Sequence, residues 1–244
     1  MRKYFEIATL LTLGLATSGA QCQPGPVAAE QSQQSDLDQA RNRMVDEQIK
    51  ARGIKDARVL DAMRSVPRHE FVPEAYRTQA YADSPLPTSS GQTISQPYIV
   101  ALMTELADPR PEHRVLEVGT GSGYQAAILS RLVRDVYTVE LLPELAKTAA
   151  QRLERLGFRN VRVREGDGYL GWAEHAPFDA ILVTAGAREV PKPLVEQLKP
   201  GGKMIIPVDS SAGDQTLQVL EKAANGTVRV RDVIPVRFVP LVRR

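Results

Sequence analysis

The chain has 244 residues, 43% of them hydrophobic, so it is long enough to bury a substantial core. One large domain is expected, with two small ones as the alternative. Its formal net charge is only +2, with basic and acidic residues mixed along the chain, which gives no positive footprint for nucleic acid. A single cysteine excludes an internal disulfide framework.

The N-terminus has the order of a cleaved export signal. A positive start at residues 1–3 precedes a short apolar run at residues 7–16, and small residues stand at Ser18 and Ala20. The run is too short to span a bilayer as a permanent helix. We therefore expect residues 1–20 to be an export signal peptide, which predicts a periplasmic or otherwise exported protein. A frayed N-terminal helix is the alternative.

A flexible linker is expected next, because residues 21–36 are rich in Gln, Ser, Pro and Ala. Cys22 raises the alternative of a lipid anchor, although Gln21 stands where a small residue is preferred before a lipidated cysteine. Residues 37–244 are then expected to form a single domain.

The domain is predicted to begin with helices. Hydrophobic spacing indicates one helix that Gly53 closes and a second over residues 59–66. A loop rich in proline follows. Ser95 is then a plausible N-cap for a helix that carries Pro97 in its first turn and runs to about Leu106.

After this helix, short strands alternate with helices. The predicted strands are residues 115–118, 136–139, 161–163, 180–183 and 204–208, and the predicted helices are residues 125–133, 143–156 and 190–198. Such alternation is typical of a doubly wound α/β fold, a mainly parallel sheet with helices on both faces, here with a helical N-terminal extension. Residues 215–222 and 227–236 are predicted to add an antiparallel pair around an Asn-Gly turn.

A glycine-rich loop follows the first of these strands, with Gly119, Gly121 and Gly123. Such glycines allow a tight turn and a close approach of backbone N–H groups to a ligand. The loop lacks the Lys-Ser/Thr of a phosphate-binding P-loop, and its third glycine comes one residue too early for a dinucleotide fingerprint. Glu117, just before the loop, would repel a pyrophosphate but suits a ligand with a cationic amino-acid head.

Two further acids follow the next strands. Glu140 ends the second strand about twenty residues beyond the loop, where a carboxylate can accept both ribose hydroxyls. Asp167 follows the third strand, where it could reach an adenine amino group, although taken alone the residue favours an ordinary turn aspartate. Because the carboxyl ends of parallel strands share one crevice, the three acids together predict a nucleoside with a positive head and no phosphate. That ligand is S-adenosylmethionine.

In these segments the chain resembles the protein-L-isoaspartate O-methyltransferase family. The resemblance covers about residues 44–242 and is carried by residues 91–97, 116–124, 166–168, 177–180 and 237–241. It implies methylation of the α-carboxyl of L-isoaspartyl residues in damaged peptides and proteins, with repair through a succinimide. The implied partners are isoaspartyl-containing proteins, and we expect a monomer.

The resemblance also implies roles for single residues. Ser95 would be the active-site residue beside the transferred methyl, whereas the residue pattern alone favours the helix cap. The predicted cofactor-binding residues are Gln92, Thr93, Ile94, Glu117, Gly119, Thr120, Gly121, Gly123, Glu140, Asp167 and Gly168.

Two features depart from the family pattern. Residues 185–187 read Ala-Gly-Ala where the family usually has Ala-Ala-Pro, which predicts a looser loop near the methyl group. The export signal is unusual because family members are typically cytosolic, so a cytoplasmic location is the alternative.

The predicted chemistry needs neither a base nor a metal. A carboxylate is already ionised at neutral pH. The three histidines are scattered, and no His, Cys or Asp cluster has the spacing of a metal site. Catalysis would then come from alignment of the nucleophile with the methyl group.

Three other functions stay open at this point. One is a methyltransferase that acts on a small molecule. Another is an NAD-dependent reductase, which would need a later third glycine and a Tyr-x-x-x-Lys pair that the sequence lacks. The third is an exported, non-catalytic member of the fold.

Overall fold

The structure is a computed structural model that describes residues 26–88, 91–210 and 213–243, with side chains from residue 33 onward. The predicted export signal and Cys22 lie outside the described residues. The chain divides into two units, and the second, Leu37–Arg244, contains the strands found within the described residues.

The N-terminal extension is helical from an earlier residue than expected. Helix α1 spans Pro26–Arg43 and includes residues 26–36 of the segment 21–36 that the sequence predicts as a flexible linker. The physical reason is that Ala, Glu and Gln are strong helix formers and proline is favoured in a first turn. The chain continues in helical turns through Met44–Ile49 and Lys50–Arg52, and Gly53 ends them in a left-handed conformation, as predicted.

Helix α2 spans Ala57–Ser65, close to its predicted range. Asp56 caps it by accepting a hydrogen bond from the N–H of Arg58 at 2.9 Å. After two short 3₁₀ turns, strands β1 (Leu86–Pro87) and β2 (Thr93–Ile94) form a small antiparallel pair. This pair lies in a stretch that the sequence predicts as loop.

Helix α3 spans Pro97–Ala107 and corrects the cap prediction for Ser95. Pro97 is the first helical residue, so the N-cap position falls on Gln96 and Ser95 lies one residue outside the helix. Gln96 does not cap the helix with its side chain. Its Nε2 instead donates to the backbone oxygen and Oδ1 of Asp83, at 3.1 and 2.8 Å.

The rest of the domain is the predicted sheet of seven strands. They are β3 (Arg114–Val118), β4 (Asp135–Glu140), β5 (Val161–Glu165), β6 (Phe178–Val183), β7 (Leu198–Asp209), β8 (Gln215–Lys222) and β9 (Val228–Val236). Helices α4 (Tyr124–Ser130), α5 (Pro143–Arg155) and α6 (Lys192–Gln197) connect the parallel strands. The order is β5-β4-β3-β6-β7-β8-β9; the first five strands are parallel, and β8 and β9 form the predicted antiparallel pair.

Strand β7 begins six residues before its predicted start. Its first residue, Leu198, pairs with Phe178, and the register then shifts so that Ala180 pairs with Lys203. The Pro-Gly-Gly at residues 200–202 is typical of a turn, but here the chain accommodates it as an irregularity in the ladder.

Both faces of the central strands β3, β4 and β6 are buried, as the alternation of strands and helices predicts. Val115 of β3 belongs to the core that α3, α4 and the N-terminal helices cover, and Leu116 belongs to the core on the opposite face. Successive side chains of a strand point to opposite faces, so Glu117 lies on the same face as Val115. No helix within the described residues is long and apolar enough to cross a membrane.

Candidate functional site

A cavity of about 370 Å³ lies at the carboxyl edge of the sheet. The connections from β3 and β6 run to opposite sides of the sheet, and the loops that follow these two neighbouring strands therefore leave a crevice. The predicted site residues that line the cavity are Gln92, Thr93, Ile94, Ser95, Glu117, Gly119, Thr120, Gly121, Glu140 and Gly168.

The path of the glycine-rich loop depends on left-handed backbone. Gly119 has a φ of 98°, and a Cβ at this position would lie 2.6 Å from Thr184 Oγ1. Gly123 has a φ of 88° and stands at the N-cap of α4. It is predicted as a cofactor residue but does not line the cavity; a Cβ there would instead meet Leu153 of α5 at 3.3 Å. Gly123 therefore allows α5 to pack closely against the loop.

Two backbone N–H groups, one of them from this loop, hold the carboxylate of Glu140. Its Oε2 accepts a hydrogen bond from the N–H of Gly121 at 2.8 Å, and its Oε1 accepts one from the N–H of Leu142 at 3.0 Å. Each carboxylate oxygen has two lone pairs, so both oxygens keep the capacity to accept a further hydrogen bond from a ligand.

Glu117 is wholly buried on the face of β3 that α4 covers. Its Oε2 accepts a hydrogen bond from Thr138 Oγ1 at 2.5 Å. Thr138 has then used its only proton, so the 2.7 Å contact with Thr120 Oγ1 is donated by Thr120 of the loop. The other oxygen, Oε1, has no hydrogen bond.

Burial determines the charge of Glu117. Removal from water raises the pKa of this carboxyl to about 8, against the hydrogen bond from Thr138, which lowers it. Without a neighbouring cation Glu117 is therefore mainly protonated at pH 7. A cationic group beside it would favour the ionised form, which is the electrostatic behaviour expected of a partner for a positive head.

Asp167 follows β5, as predicted, but the cavity is lined by its neighbour Gly168. The Asp167 Oδ1 accepts a hydrogen bond from the N–H of Tyr169 at 2.9 Å and so caps a short 3₁₀ turn. This is the turn role that the sequence pattern offers as the alternative. Contact of Asp167 with an adenine amino group stays a prediction.

Ser95 lines two cavities. The second has a volume of about 530 Å³ and shares Thr93, Ser95, Thr184 and Val239 with the first. Its remaining lining residues are Pro85, Gln96, Ile99, Asp214, Pro235, Val236, Arg237 and Phe238. Ser95, which does not cap α3, thus lies between the two cavities. A transfer reaction between two bound molecules requires this arrangement.

The loop at residues 185–187 is held by backbone hydrogen bonds, contrary to the expectation of a looser loop. The N–H of Gly186 donates to the backbone oxygen of Val239 at 2.8 Å, and the N–H of Leu241 donates back to Gly186 at 2.7 Å. A Cβ on Gly186 would lie 2.1 Å from Gln215 Nε2. Glycine therefore allows Gln215 to pass under the loop, where its Oε1 accepts from the N–H of Phe238 at 2.6 Å.

Several lining residues are not among the predicted site residues. Tyr124, Gln125 and Thr184 line the first cavity, and the C-terminal residues 239–242 close it. Tyr124 and Gln125 directly follow the last glycine of the loop, so their position in the motif was the available signal. No sequence period indicates that the C-terminal residues return to the loop after β3.

Histidines take no part in either cavity. His69 is buried, and its Nδ1 lies 2.7 Å from the hydroxyl of Tyr81. Neither cavity has a histidine among its lining residues. Within the described residues, no group of three His, Cys, Asp or Glu side chains has the arrangement of a metal site.

Comparison with known families gives a match over most of the chain. Residues 39–244 match the family model described as protein-L-isoaspartate(D-aspartate) O-methyltransferase. A relative from Syntrophobacter fumaroxidans, protein-L-isoaspartate O-methyltransferase 2, is 61% identical over 186 residues, which cover 76% of this chain and 75% of the relative. A protein-L-isoaspartate O-methyltransferase from Gloeobacter violaceus is 55% identical over 200 residues, covering 82% and 97% of the two chains.

Solved structures agree with these matches. A protein-L-isoaspartate O-methyltransferase is similar with a TM-score of 0.75 and 32% identity, over 82% of this chain and 65% of that chain. A protein from Plasmodium falciparum, described as a protein-L-isoaspartate O-methyltransferase in complex with S-adenosyl-L-homocysteine, has a TM-score of 0.73 and 28% identity, covering 84% and 99%.

The buried carboxyl of Glu117 predicts a pH-dependent affinity. If a cationic head ionises Glu117, binding releases a proton, and affinity for S-adenosylhomocysteine should rise with pH by up to about tenfold per unit until about pH 8. Above that pH Glu117 is ionised before binding, so its contribution should level off. Calorimetry over this range, in two buffers of different ionisation enthalpy, measures both the affinity and the proton release.

The variant Glu117→Gln is the control, because it keeps the shape of the side chain and removes its titration. We expect it to bind with little pH dependence over the same range. An unchanged slope and unchanged proton release in this variant would show that another group is responsible.

Proposed function

Because the chain belongs to the protein-L-isoaspartate(D-aspartate) O-methyltransferase family, we propose that it transfers a methyl group from S-adenosylmethionine to the α-carboxylate of L-isoaspartyl residues. The acceptors are damaged peptides and proteins in which an Asn or Asp side chain has attacked its own backbone. The position of Ser95 between two adjoining cavities is the observation that carries this proposal.

The first cavity fits S-adenosylmethionine. It has a buried carboxyl oxygen without a hydrogen bond, on Glu117, and a second carboxylate, on Glu140, with lone pairs to spare. At Gly119 a Cβ would meet Thr184, so the loop backbone itself is left to face the ligand. When bound, S-adenosylmethionine supplies an electrophilic methyl group on a positively charged sulfur.

The second cavity is suited to the acceptor peptide. It is larger than the first, and its lining mixes apolar side chains with Asp214 and Arg237. Thr184 and Val239 border both cavities, so an acceptor carboxylate beside Ser95 adjoins the cofactor cavity. Holding the two reacting groups in line supplies about 7–11 kcal/mol of the barrier reduction by proximity.

Ser95 orients the acceptor in this proposal. No hydrogen bond to its hydroxyl is found within the described residues, so the O–H is available to donate to one oxygen of the acceptor carboxylate. The other oxygen is then the nucleophile. A carboxylate needs no general base at neutral pH, which is consistent with two cavities that no histidine lines.

The methyl ester that this reaction forms accounts for the repair of the isoaspartyl residue. The methyl ester has a better leaving group than the carboxylate, so the neighbouring backbone amide nitrogen attacks it, methanol leaves and a succinimide ring closes. Hydrolysis of the ring yields normal aspartate in part. The protein acts only on the first of these steps.

We also propose that the mature protein is exported and acts as a monomer without nucleic acid. The order of charged, apolar and small residues at residues 1–20 supports export. The near-neutral net charge supports the absence of nucleic acid from the reaction.

Ser95→Ala should separate catalysis from stability. Turnover of an isoaspartyl peptide should fall about tenfold to a hundredfold, the effect of a lost hydrogen bond to a charged group. Cofactor affinity and thermal stability should stay near wild type, because Ser95 does not cap α3. Ser65→Ala is the matched control: Ser65 lines neither cavity, and its hydroxyl donates to the backbone oxygen of Ala62. Unchanged turnover in Ser95→Ala would rule out its proposed role.

The acceptor site should distinguish two isomers of equal charge. In an isoaspartyl residue one methylene has moved from the side chain into the backbone, so the free carboxylate shifts by about an ångström relative to the flanking peptide. A misplacement of this size costs about a hundredfold in rate. We expect labelled methyl on an L-isoaspartyl peptide and almost none on its aspartyl twin, with later release of labelled methanol. Equal labelling of both peptides, or labelling of a small carboxylic acid alone, would contradict the proposed acceptor.

Export has its own test. Cell fractionation followed by N-terminal sequencing should find the protein outside the cytoplasm, with a mature chain that starts shortly after Ala20. A cytoplasmic protein that retains residues 1–20 would refute export and leave the proposed reaction untouched.

A further inference from the structure

Gln125 is a buried residue of the first cavity, and only one of the two polar groups of its side-chain amide has a hydrogen-bond partner. It is the second residue of α4 and is 6% exposed. Its Nε2 donates to Thr104 Oγ1 of α3 at 2.9 Å, and its Oε1 is buried without a hydrogen bond. A buried amide oxygen without a donor is unfavourable, so a donor from a ligand would be favourable there.

The orientation of this amide follows from the hydrogen-bond network. Thr104 Oγ1 donates its single proton to the backbone oxygen of Val100 at 2.7 Å. It can therefore only accept from Gln125, and only the NH₂ end of the amide can donate. The oxygen of Gln125 is thus the end that remains for another partner.

A second buried oxygen without a hydrogen bond lies on the same side of the sheet. Glu117 also lines the cavity, its Oε1 is the buried oxygen, and the residue faces the core that α4 covers. The backbone N–H of Ala126, the residue after Gln125, donates to the Glu117 carboxyl and lowers its pKa. Glu117 and Gln125 therefore both lie beside the first turn of α4.

We propose that Gln125 Oε1 and Glu117 Oε1 form a paired acceptor for the ammonium group of the cofactor's amino-acid head. An ammonium carries three donors, so it can satisfy both oxygens, whereas a carboxylate has none and would be repelled. This inference rests on the proposed function, because it assumes that the first cavity binds S-adenosylmethionine. It makes Gln125 a residue that selects for ligands with a free amino group.

The experiment combines a protein variant with a ligand variant. Calorimetry compares the affinities of S-adenosylhomocysteine and of its analogue in which hydrogen replaces the amino group, for wild type and for Gln125→Leu. Leucine fills a similar volume, and Thr104 keeps its hydrogen bond to Val100. We expect Gln125→Leu to weaken the parent ligand about tenfold, as for one hydrogen bond to a charged group, and to leave the analogue nearly unchanged.

Gln48→Leu is the matched control. Gln48 likewise donates its Nε2 to a backbone oxygen, that of Tyr81 at 3.0 Å, and likewise has a buried Oε1 without a hydrogen bond, but it lines neither cavity. Both ligands should bind this variant as they bind wild type. A change for either ligand would mean that a buried glutamine affects binding through stability alone.

A second variant keeps the inference testable if Gln125→Leu does not fold. Thr104→Val removes the acceptor that fixes the amide while it leaves Gln125 in place. We expect a smaller loss than in Gln125→Leu, again only for the ligand with the amino group. Equal weakening of both ligands in either variant would overturn the inference and leave the proposed function intact. A wild-type protein that binds neither ligand would overturn both.

Discussion

The hydroxyl of Thr184 fixes the point from which both cavities are built. Its Oγ1 lies 2.6 Å from the backbone oxygen of Gly119 and 3.0 Å from that of Val118, and its single proton is shared between these two acceptors, which links the end of β6 to the start of the loop after β3. These are the two strands whose connections run to opposite sides of the sheet. Thr184 occupies the space beside Gly119. The loop can therefore turn over the end of β3 only because residue 119 has no side chain. Thr184 also borders both cavities, so one residue contributes to the boundary between them.

Much of the fold could be predicted because its signals are local. Short β-branched runs bounded by turn residues marked β3 to β6, and an Asn-Gly turn marked the hairpin of β8 and β9. The errors have local causes too. Proline at the first helical position moved the cap from Ser95 to Gln96, and helix-forming residues extended α1 back to Pro26.

The candidate site was predictable where it follows strand ends and not where it depends on distant contacts. Glu117 and Glu140 meet at one cavity because parallel strands end at one edge. The complete burial of Glu117, and with it the pKa of about 8, depends on α4 and on Thr138 of another strand. The free oxygen of Gln125 depends on a proton that Thr104 gives to Val100. No pattern in one segment contains such information.

The last residues of the chain complete the first cavity. Residues 239–242 line it, Gly186 pairs with Val239 and Leu241, and the hydroxyl of Tyr169 donates to the backbone oxygen of Leu241 at 3.2 Å. One wall of the cavity therefore depends on backbone pairing between the segment after β9 and the loop after β6. Because backbone atoms make these hydrogen bonds, the side chains at residues 239–242 can vary the surface of the wall while the pairing that positions it is kept.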